Sequence, residues 1–215
     1  MNNGSNKILF ATNNQAKVQR YKTIIDRAGI ELIILKDIDQ EILNNIKVEE
    51  TGKNAIENAV IKAESYSKAL NIITLGVDDT LYIEGVPEDM QPGVFVRRAD
   101  KKHELSDEEM LDYYKSLVKK YKNDKGYLVA KWVYGVAVSN GKETYTELFE
   151  KDNYYLVEEE CEEKNVGYPL NSITINPKTN KYVAQEVNEK EKKTDLSRVN
   201  EKIANFVIES FQKIK

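Results

Sequence analysis

Short apolar runs and helical stripes alternate along the first third of the chain. Lys7 to Ala11 (KILFA) reads as a buried strand. It runs into Thr12-Asn13-Asn14, where an Asn can cap a helix. Val18, Tyr21, Ile24 and Ile25 then recur on one helical face. Gly29 stops that helix, and Glu31 to Leu35 (ELIIL) is the next strand. A strand, helix, strand opening predicts an α/β fold with a strand-to-helix loop open to a ligand.

Asn54 and Glu57 have the spacing of a capping box and predict a helix running to about Leu70. Ile72 to Val77 is a further strand, expected to end at Asp78-Asp79. Ser106 and Glu109 form a second capping box, followed by an amphipathic stripe of Met110, Leu111, Tyr114, Leu117, Val118 and Tyr121. Tyr127 to Val138 reads as a long strand. Asn140-Gly141 predicts a type I′ hairpin, with Lys142 to Phe149 as the antiparallel partner. Ser172 to Ile175 is a short strand before a Pro-Lys-Thr-Asn turn, and the final helix is expected from about Leu196 to Phe211. No repeat, low-complexity linker or domain break interrupts the chain. It is therefore expected to form a single domain over 1–215, with a mixed sheet flanked by helices and arranged in two lobes.

Composition narrows the function. Of 215 residues, 40% are hydrophobic, enough for a sizeable core. The formal net charge of −4 argues against generic nucleic-acid binding but leaves room for a small anion held by a local group of Lys and Arg. Cys161 is the sole cysteine, so no intrachain disulfide can form, which fits a reducing compartment. His103 is the sole histidine and lies in a polar run, which removes His-rich zinc sites and disfavours a Ser-His-Asp triad. Any metal must then be held by oxygens, pointing to magnesium, manganese or calcium. No signal peptide or membrane span is evident, so a cytoplasmic protein is expected.

Three places could carry chemistry. Thr12, Asn14 and Lys17 sit where a strand turns into a helix. Backbone N–H groups and the helix dipole favour a phosphate there, although a plain helix cap with a solvated lysine would look the same. Asp78 and Asp79 follow a buried strand, where paired carboxylates can hold magnesium and take a proton from water; a solvated turn is the alternative. Asn58 and Lys62 share a helix face beyond Glu49 and Glu50, whose loop position lets a carboxylate reach a metal. Glu57 is accounted for by the cap and is not read as a ligand.

Taken together and in order, these residues resemble the inosine triphosphate pyrophosphatase family. Thr12, Asn14 and Lys17 match its T-x-N-x-x-K. Glu49-Glu50-Thr51-Gly52 matches E-E-T-G, and Glu57-Asn58-Ala59 with Lys62-Ala63 matches E-N-A-x-x-K-A. Val77-Asp78-Asp79-Thr80 stands for A-D-D-S, without the Gly that follows in the family. Pro92-Gly93 then precedes Arg97 and Arg98. In the second half, Gly167-Tyr168-Pro169-Leu170-Asn171 replaces the base-stacking motif, with Tyr168 for Phe and Asn171 for Asp. Lys192, Ser197 and Arg198 fall at the spacing of K-x-x-x-x-H-R, with Ser197 for His.

The resemblance implies an elongated two-lobed α/β homodimer with a cleft, hydrolysing a nucleoside triphosphate to monophosphate and pyrophosphate with Mg2+, or Mn2+. It implies Asp79 as general base and Asp78, Asp79 and Glu50 as metal ligands, with Glu49 the substitute for Glu50. Thr12, Asn14, Lys17 and Lys62 are implied to hold the triphosphate, with Thr80 beside them. Tyr168, Asn171, Lys192 and Arg198 are implied to face the base and sugar. The substitutions at Asn171 and Ser197 predict reduced selectivity among bases. Two alternatives remain: a pyrophosphatase of different base preference, and a catalytically silent nucleotide-binding protein.

Overall fold

The computed structural model describes residues 6–99, 103–191 and 198–215. Its elements, in order, are β1 (Lys7–Phe10), α1 (Gln15–Arg27), β2 (Glu31–Ile34), α2 (Gln40–Asn44), α3 (Ala55–Leu70), β3 (Thr74–Ile83), α4 (Asp107–Tyr121), β4 (Tyr127–Ser139), β5 (Thr144–Glu150), β6 (Tyr154–Val157), β7 (Thr174–Asn176), β8 (Lys181–Tyr182), α5 (Val183–Glu191) and α6 (Arg198–Ile214). The strands form a mixed sheet in the order β2-β1-β3-β4-β6-β7-β8, with β5 paired to β4. Strand β1 runs parallel to both β2 and β3, whereas β6 is antiparallel to β4 and β7. The order reverses direction at β1: the chain first moves to β2, then returns past β1 to β3. Such a reversal places the preceding helices on opposite faces and opens a crevice at the strand ends.

The chain divides into two compact units. The first comprises Met1–Asp79, Tyr134–Phe149 and Ser197–Lys215; the second comprises Thr80–Val133 and Glu150–Leu196. In the first, Val18, Tyr21 and Ile25 of α1 are buried, and Tyr21 meets Phe10 of β1 edge-on at 5.8 Å. The Ile24 side chain lies outside the described positions. Helix α6 packs on α1 and buries Ile203, Ala204, Val207, Phe211 and Ile214.

Helix α3 approaches the sheet unusually closely. Its inner face is Ala55, Ala59 and Ala63, and the strand positions beneath are Gly76 and Gly135, where any Cβ would overlap the backbone of Ala59 or Ala55. Gly135→Ala is therefore expected to lower stability by about 1–3 kcal/mol or more through overpacking. The measurement is urea unfolding, read as a lower midpoint at unchanged slope; a midpoint at or above that of the wild type would show that α3 can move aside.

In the second unit, α4 carries the core. Met110, Tyr114, Leu117 and Val118 pack with Leu81 and Ile83 of β3, Leu128 and Ala130 of β4, and Leu170 and Ile173. The Ser106–Glu109 capping box forms as its spacing predicts, and the Tyr114 hydroxyl donates to the Val96 carbonyl at 3.0 Å.

Several boundaries differ from the sequence expectation. Strand β3 does not end at Asp78-Asp79 but continues to Ile83. The Asn140-Gly141 hairpin exists, but not as a type I′ turn: Gly141 has φ +86° whereas Asn140 is not among the positive-φ residues, and type I′ needs both. Instead the Asn140 side chain accepts from the backbone N–H groups of Lys142 and Glu143 at 3.0 and 2.9 Å, widening the loop so that β5 begins at Thr144. The short strand expected from Ser172 begins at Thr174, because Pro169–Ile173 form a 3-10 turn. The final helix is described from Arg198; its expected start at Leu196 lies outside the described residues.

Candidate functional site

The loop after β1 is built by short-range side-chain bonds. Asn14 is the residue before α1, and its Oδ1 accepts from the N–H groups of Ala16 and Lys17 at 2.9 and 3.3 Å. Thr12 Oγ1 accepts from the Asn14 N–H at 3.2 Å. Because the cap uses the Asn14 oxygen, the amide nitrogen is the part of that side chain suited to a phosphate. One turn into the helix, Lys17 Nζ lies 3.1 Å from Asp79 Oδ1, both side chains being about seven-eighths buried.

The neighbouring carboxylate has a different partner. Asp78 Oδ1 lies 2.6 Å from Lys62 Nζ, and the same ammonium reaches Glu50 Oε2 at 3.1 Å. Asn58 Nδ2 donates to Asp78 Oδ2 at 3.3 Å, while Asn58 Oδ1 accepts from the Gly52 N–H at 2.8 Å. Asn58 thus ties the loop bearing Glu50 to the strand bearing Asp78. Gly52 is needed for this approach, since a Cβ there would stand 2.6 Å from Asn58 Oδ1. Glu50, not Glu49, makes the contact with Lys62. Glu57 does cap α3, accepting from the Lys53 N–H and from Asn54 Nδ2 at 2.8 and 2.7 Å.

The three carboxylates expected at a metal divide between two partners, Lys62 for Glu50 and Asp78 and Lys17 for Asp79. Glu50, Asp78 and Asp79 do not gather into one cluster; among the described residues no group of three or more His, Cys, Asp or Glu is placed to hold a metal. The reason is the continuation of β3 through the Asp pair. Successive strand residues face opposite ways, so Asp78 turns to Lys62 on α3 and Asp79 to Lys17 on α1. The two ion pairs still feel each other's charge. Burial raises the Asp78 pKa despite Lys62. Burial also acts to raise that of Asp79, but Lys17 and then Arg20 outweigh it and hold the carboxyl below its ordinary value. Lys62 is raised: burial opposes its charge, and Asp78 and Glu50 more than compensate.

The donor set suits a hard divalent cation. Glu50 and Asp78 already converge on a single positive charge, the Lys62 ammonium. Magnesium is commonly held by one or two carboxylates plus substrate phosphates and water rather than by an all-protein cage. Two converging carboxylates beside phosphate-binding lysines fit that pattern.

Other residues singled out in the sequence have different settings. Thr80 is fully buried, and its hydroxyl donates to the Val133 carbonyl at 3.1 Å, so the structure does not bring it to a ligand-facing surface. Tyr168 is half-buried beside Gly167, whose φ is +80°. Asn171 Nδ2 donates to Asn165 Oδ1 at 2.8 Å, and Asn165 Nδ2 donates to Asn188 Oδ1 at 2.8 Å. Arg198 is exposed at the start of α6, while Lys192 and Ser197 lie outside the described residues. Arg97 pairs with Asp107 at 2.8 Å, and Arg98 lies over the Phe95 ring. Sequence reasoning gave no role to Arg20 and Tyr134 and read Tyr21 only as part of the apolar stripe; the charge of Arg20 helps to hold the Asp79 carboxyl down, and burial, with the Asp79 charge adding to it, raises both phenols. The available signal was Arg20 standing three residues after Lys17, on the same helix face.

An open α/β sheet with a capped strand-to-helix loop, a lysine in the first turn of the helix that follows and acidic residues on the adjoining strand is the arrangement of phosphate-ligand-binding proteins of the α/β class. The chain belongs to the Ham1 family, whose model matches residues 8–200. A protein of Borreliella burgdorferi (strain ZS7) named dITP/XTP pyrophosphatase is 27% identical over 208 residues, covering 94% of this chain and 96% of that one. Another of that name from Oceanobacillus iheyensis is 35% identical over 92 residues, 43% of this chain and 44% of the other. The Ham1 protein of Staphylococcus aureus superposes with a TM-score of 0.71 at 26% identity, covering 97% of this chain and all of that one. A HAM1 protein from Coxiella burnetii, at 20% identity, TM-score 0.70 and 97% coverage of each chain, is alike in fold.

Proposed function

We propose that this protein is a metal-dependent nucleoside triphosphate pyrophosphatase. It hydrolyses noncanonical purine triphosphates of the deoxyinosine and xanthosine type to the monophosphate and pyrophosphate, cleansing the nucleotide pool. The observation that carries this is a set of three ion pairs beside the reversal point of the sheet: Lys17 with Asp79 and Lys62 with Asp78, all four side chains largely buried, and Lys62 with the more exposed Glu50. The full-length relative named dITP/XTP pyrophosphatase supports the substrate class.

In this reading the N-terminus of α1, Thr12, Asn14, Lys17 and Lys62 hold the triphosphate. Asp79 takes the proton of a water whose oxygen bonds to the α-phosphorus, and the bond to the α,β-bridging oxygen breaks so that pyrophosphate leaves. Glu50 and Asp78 would hold Mg2+, or Mn2+, which supplies positive charge against the phosphate oxygens as negative charge builds on them. Tyr168, Lys192 and Arg198 are proposed to face the base and sugar, with stacking on Tyr168 tolerant of any base. A cytoplasmic location and a homodimer belong to the same proposal. The single cysteine supports the first, no described helix is long and apolar enough to cross a membrane, and the second rests on family membership.

A second reading, relaxed base selectivity, is favoured by Asn171, whose amide nitrogen is engaged by Asn165 and which lacks a carboxylate's fixed charge. One assay tests both. Pyrophosphate and orthophosphate release are followed with deoxyinosine, xanthosine, guanosine, adenosine and pyrimidine triphosphates plus magnesium. Pyrophosphate is expected, with purine discrimination below about 10²-fold. Orthophosphate as the first product would refute the pyrophosphatase reading; stronger discrimination would refute the relaxed one.

A further inference from the structure

One side chain in the first unit joins the two segments that carry Glu50 and Asp78. Asn58 lies on α3 one turn beyond the Asn54 cap and is 2% exposed. Both ends of its amide are engaged. Nδ2 donates to Asp78 Oδ2 at 3.3 Å, and Oδ1 accepts from the Gly52 N–H at 2.8 Å. The first partner stands on β3. The second lies in the loop before α3, two residues after Glu50.

Anchoring the loop needs only the acceptor end of this amide. The donor end is aimed at a carboxylate that is already paired. Asp78 gives Oδ1 to the Lys62 ammonium at 2.6 Å, and Asn58 takes the other oxygen. A half-turn of the carboxylate about its Cβ–Cγ bond would exchange the two, so a donor fixed to one oxygen sets the plane of the group. Glu50 is referenced to the same amide. Its Oε2 meets the same ammonium at 3.1 Å, and its loop is pinned at Gly52. The fit is close: a Cβ on residue 52 would stand 2.6 Å from Asn58 Oδ1 and 2.7 Å from Asn58 N. An amide suits this place because it donates and accepts at once without a charge. Leucine would fill a similar volume and do neither, and an ionised aspartate could accept from Gly52 but not donate to Asp78.

We propose that Asn58 is the positioning residue for Glu50 and Asp78, fixing the orientation of one carboxylate and the approach of the other so that the pair can hold a divalent cation. The inference rests on the metal-dependent reading above and adds to it the group that sets the metal affinity. Asn58 acts through the two carboxylates and is not itself a ligand. Hydrogen-bonding partners behind metal ligands commonly account for about 10–100-fold in metal affinity or activity.

The test titrates Mn2+ by its paramagnetic signal, with a non-hydrolysable deoxyinosine triphosphate present. The proteins are the wild type, Asn58→Leu with and without Asp78→Asn, and Gly52→Ala with and without Glu50→Gln. Pyrophosphate release from deoxyinosine triphosphate is followed in parallel against Mg2+ concentration. Asn58→Leu is expected to weaken Mn2+ binding by about 10–100-fold. The Mg2+ concentration for half-maximal rate should rise by a like factor, and saturating Mg2+ should bring the rate back toward that of the wild type. Gly52→Ala keeps the Asn58 donor but crowds the loop, and should weaken Mn2+ binding by less. Each loss should shrink in the variant that lacks the carboxylate being positioned. Should Asn58→Leu fail to fold, the same readings apply to Gly52→Ala. Unchanged Mn2+ affinity would overturn the proposal. So would a rate loss that saturating Mg2+ does not restore, or equal losses of Mn2+ affinity with and without the carboxylate, each the mark of a purely structural role. A wild-type protein that binds Mn2+ but releases no pyrophosphate would remove the pyrophosphatase reading and leave the Mn2+ comparison to decide the role of Asn58.

Discussion

Asp79→Asn is expected to lower kcat by on the order of 10²–10⁴-fold, the usual cost of losing a general base, while triphosphate still binds. Asn keeps the size and shape of Asp, so the packing around β3 should survive. Only the charge and the basic oxygen are lost. Lys17, released from its ion pair at 3.1 Å, becomes more available to phosphate, so affinity for triphosphate should hold or tighten. The measurement is kcat from pyrophosphate release alongside the Kd of a non-hydrolysable triphosphate. If the variant turns over at the wild-type rate, the base is elsewhere. Asp78 is then the next candidate, because its raised pKa, driven by burial, brings a carboxyl closer to working pH.

Removal of divalent cation with a strong chelator is expected to abolish hydrolysis, and magnesium, not zinc, is expected to restore it. The only histidine is exposed and pairs with Glu109, and the only cysteine lies in the second unit. One histidine and one cysteine are too few for the sets of nitrogen and sulfur ligands that select zinc. Two oxygens that already share one ammonium make a weak metal site by themselves. The affinity should consequently rise steeply when a triphosphate brings further oxygens. Titration of Mn2+ by its paramagnetic signal, with and without a non-hydrolysable triphosphate, reads this directly. Undiminished hydrolysis in excess chelator, or equal Mn2+ affinity in the two titrations, would exclude the arrangement.

The first half of the fold could be read closely from the chain. Helix α3 begins and ends where the Asn54 cap and Leu70 place it, and Gly29 has the positive φ expected of a helix stop. What could not be read has definite causes. Two adjacent aspartates look like a strand end, because nothing nearby in sequence neutralises them. They continue as strand because Lys62 and Lys17, far away along the chain, do. Strands β6 and β8 are four and two residues long, too short for a period to show, and α5 carries only a weak apolar stripe. The Asn140 turn followed its side-chain bonds rather than the dipeptide rule. In the site, Lys17, Lys62, Glu50, Asp78 and Asp79 all came from motif order. The pairing of the carboxylates with different helices, and the presence of Arg20 and Tyr134, depended on tertiary neighbours.

The division of the chain into units has a consequence in time. The first unit draws on three separate stretches, and both segments of the second lie between them. Helix α6 supplies buried Val207 and Phe211 to the first unit, and Asn140 donates to the Ile214 carbonyl at 3.3 Å. The first unit therefore cannot close its core until the chain has passed through all of the second. Its phosphate loop and Asp pair are made early and wait, while the long-range contacts that complete their unit must pay loop-closure entropy before they stabilise anything. On the ribosome the second unit has its full sequence first, so the acidic and basic side chains of the site, though their ion-pair partners are already made, spend the interval of synthesis without α6 to close the core against α1.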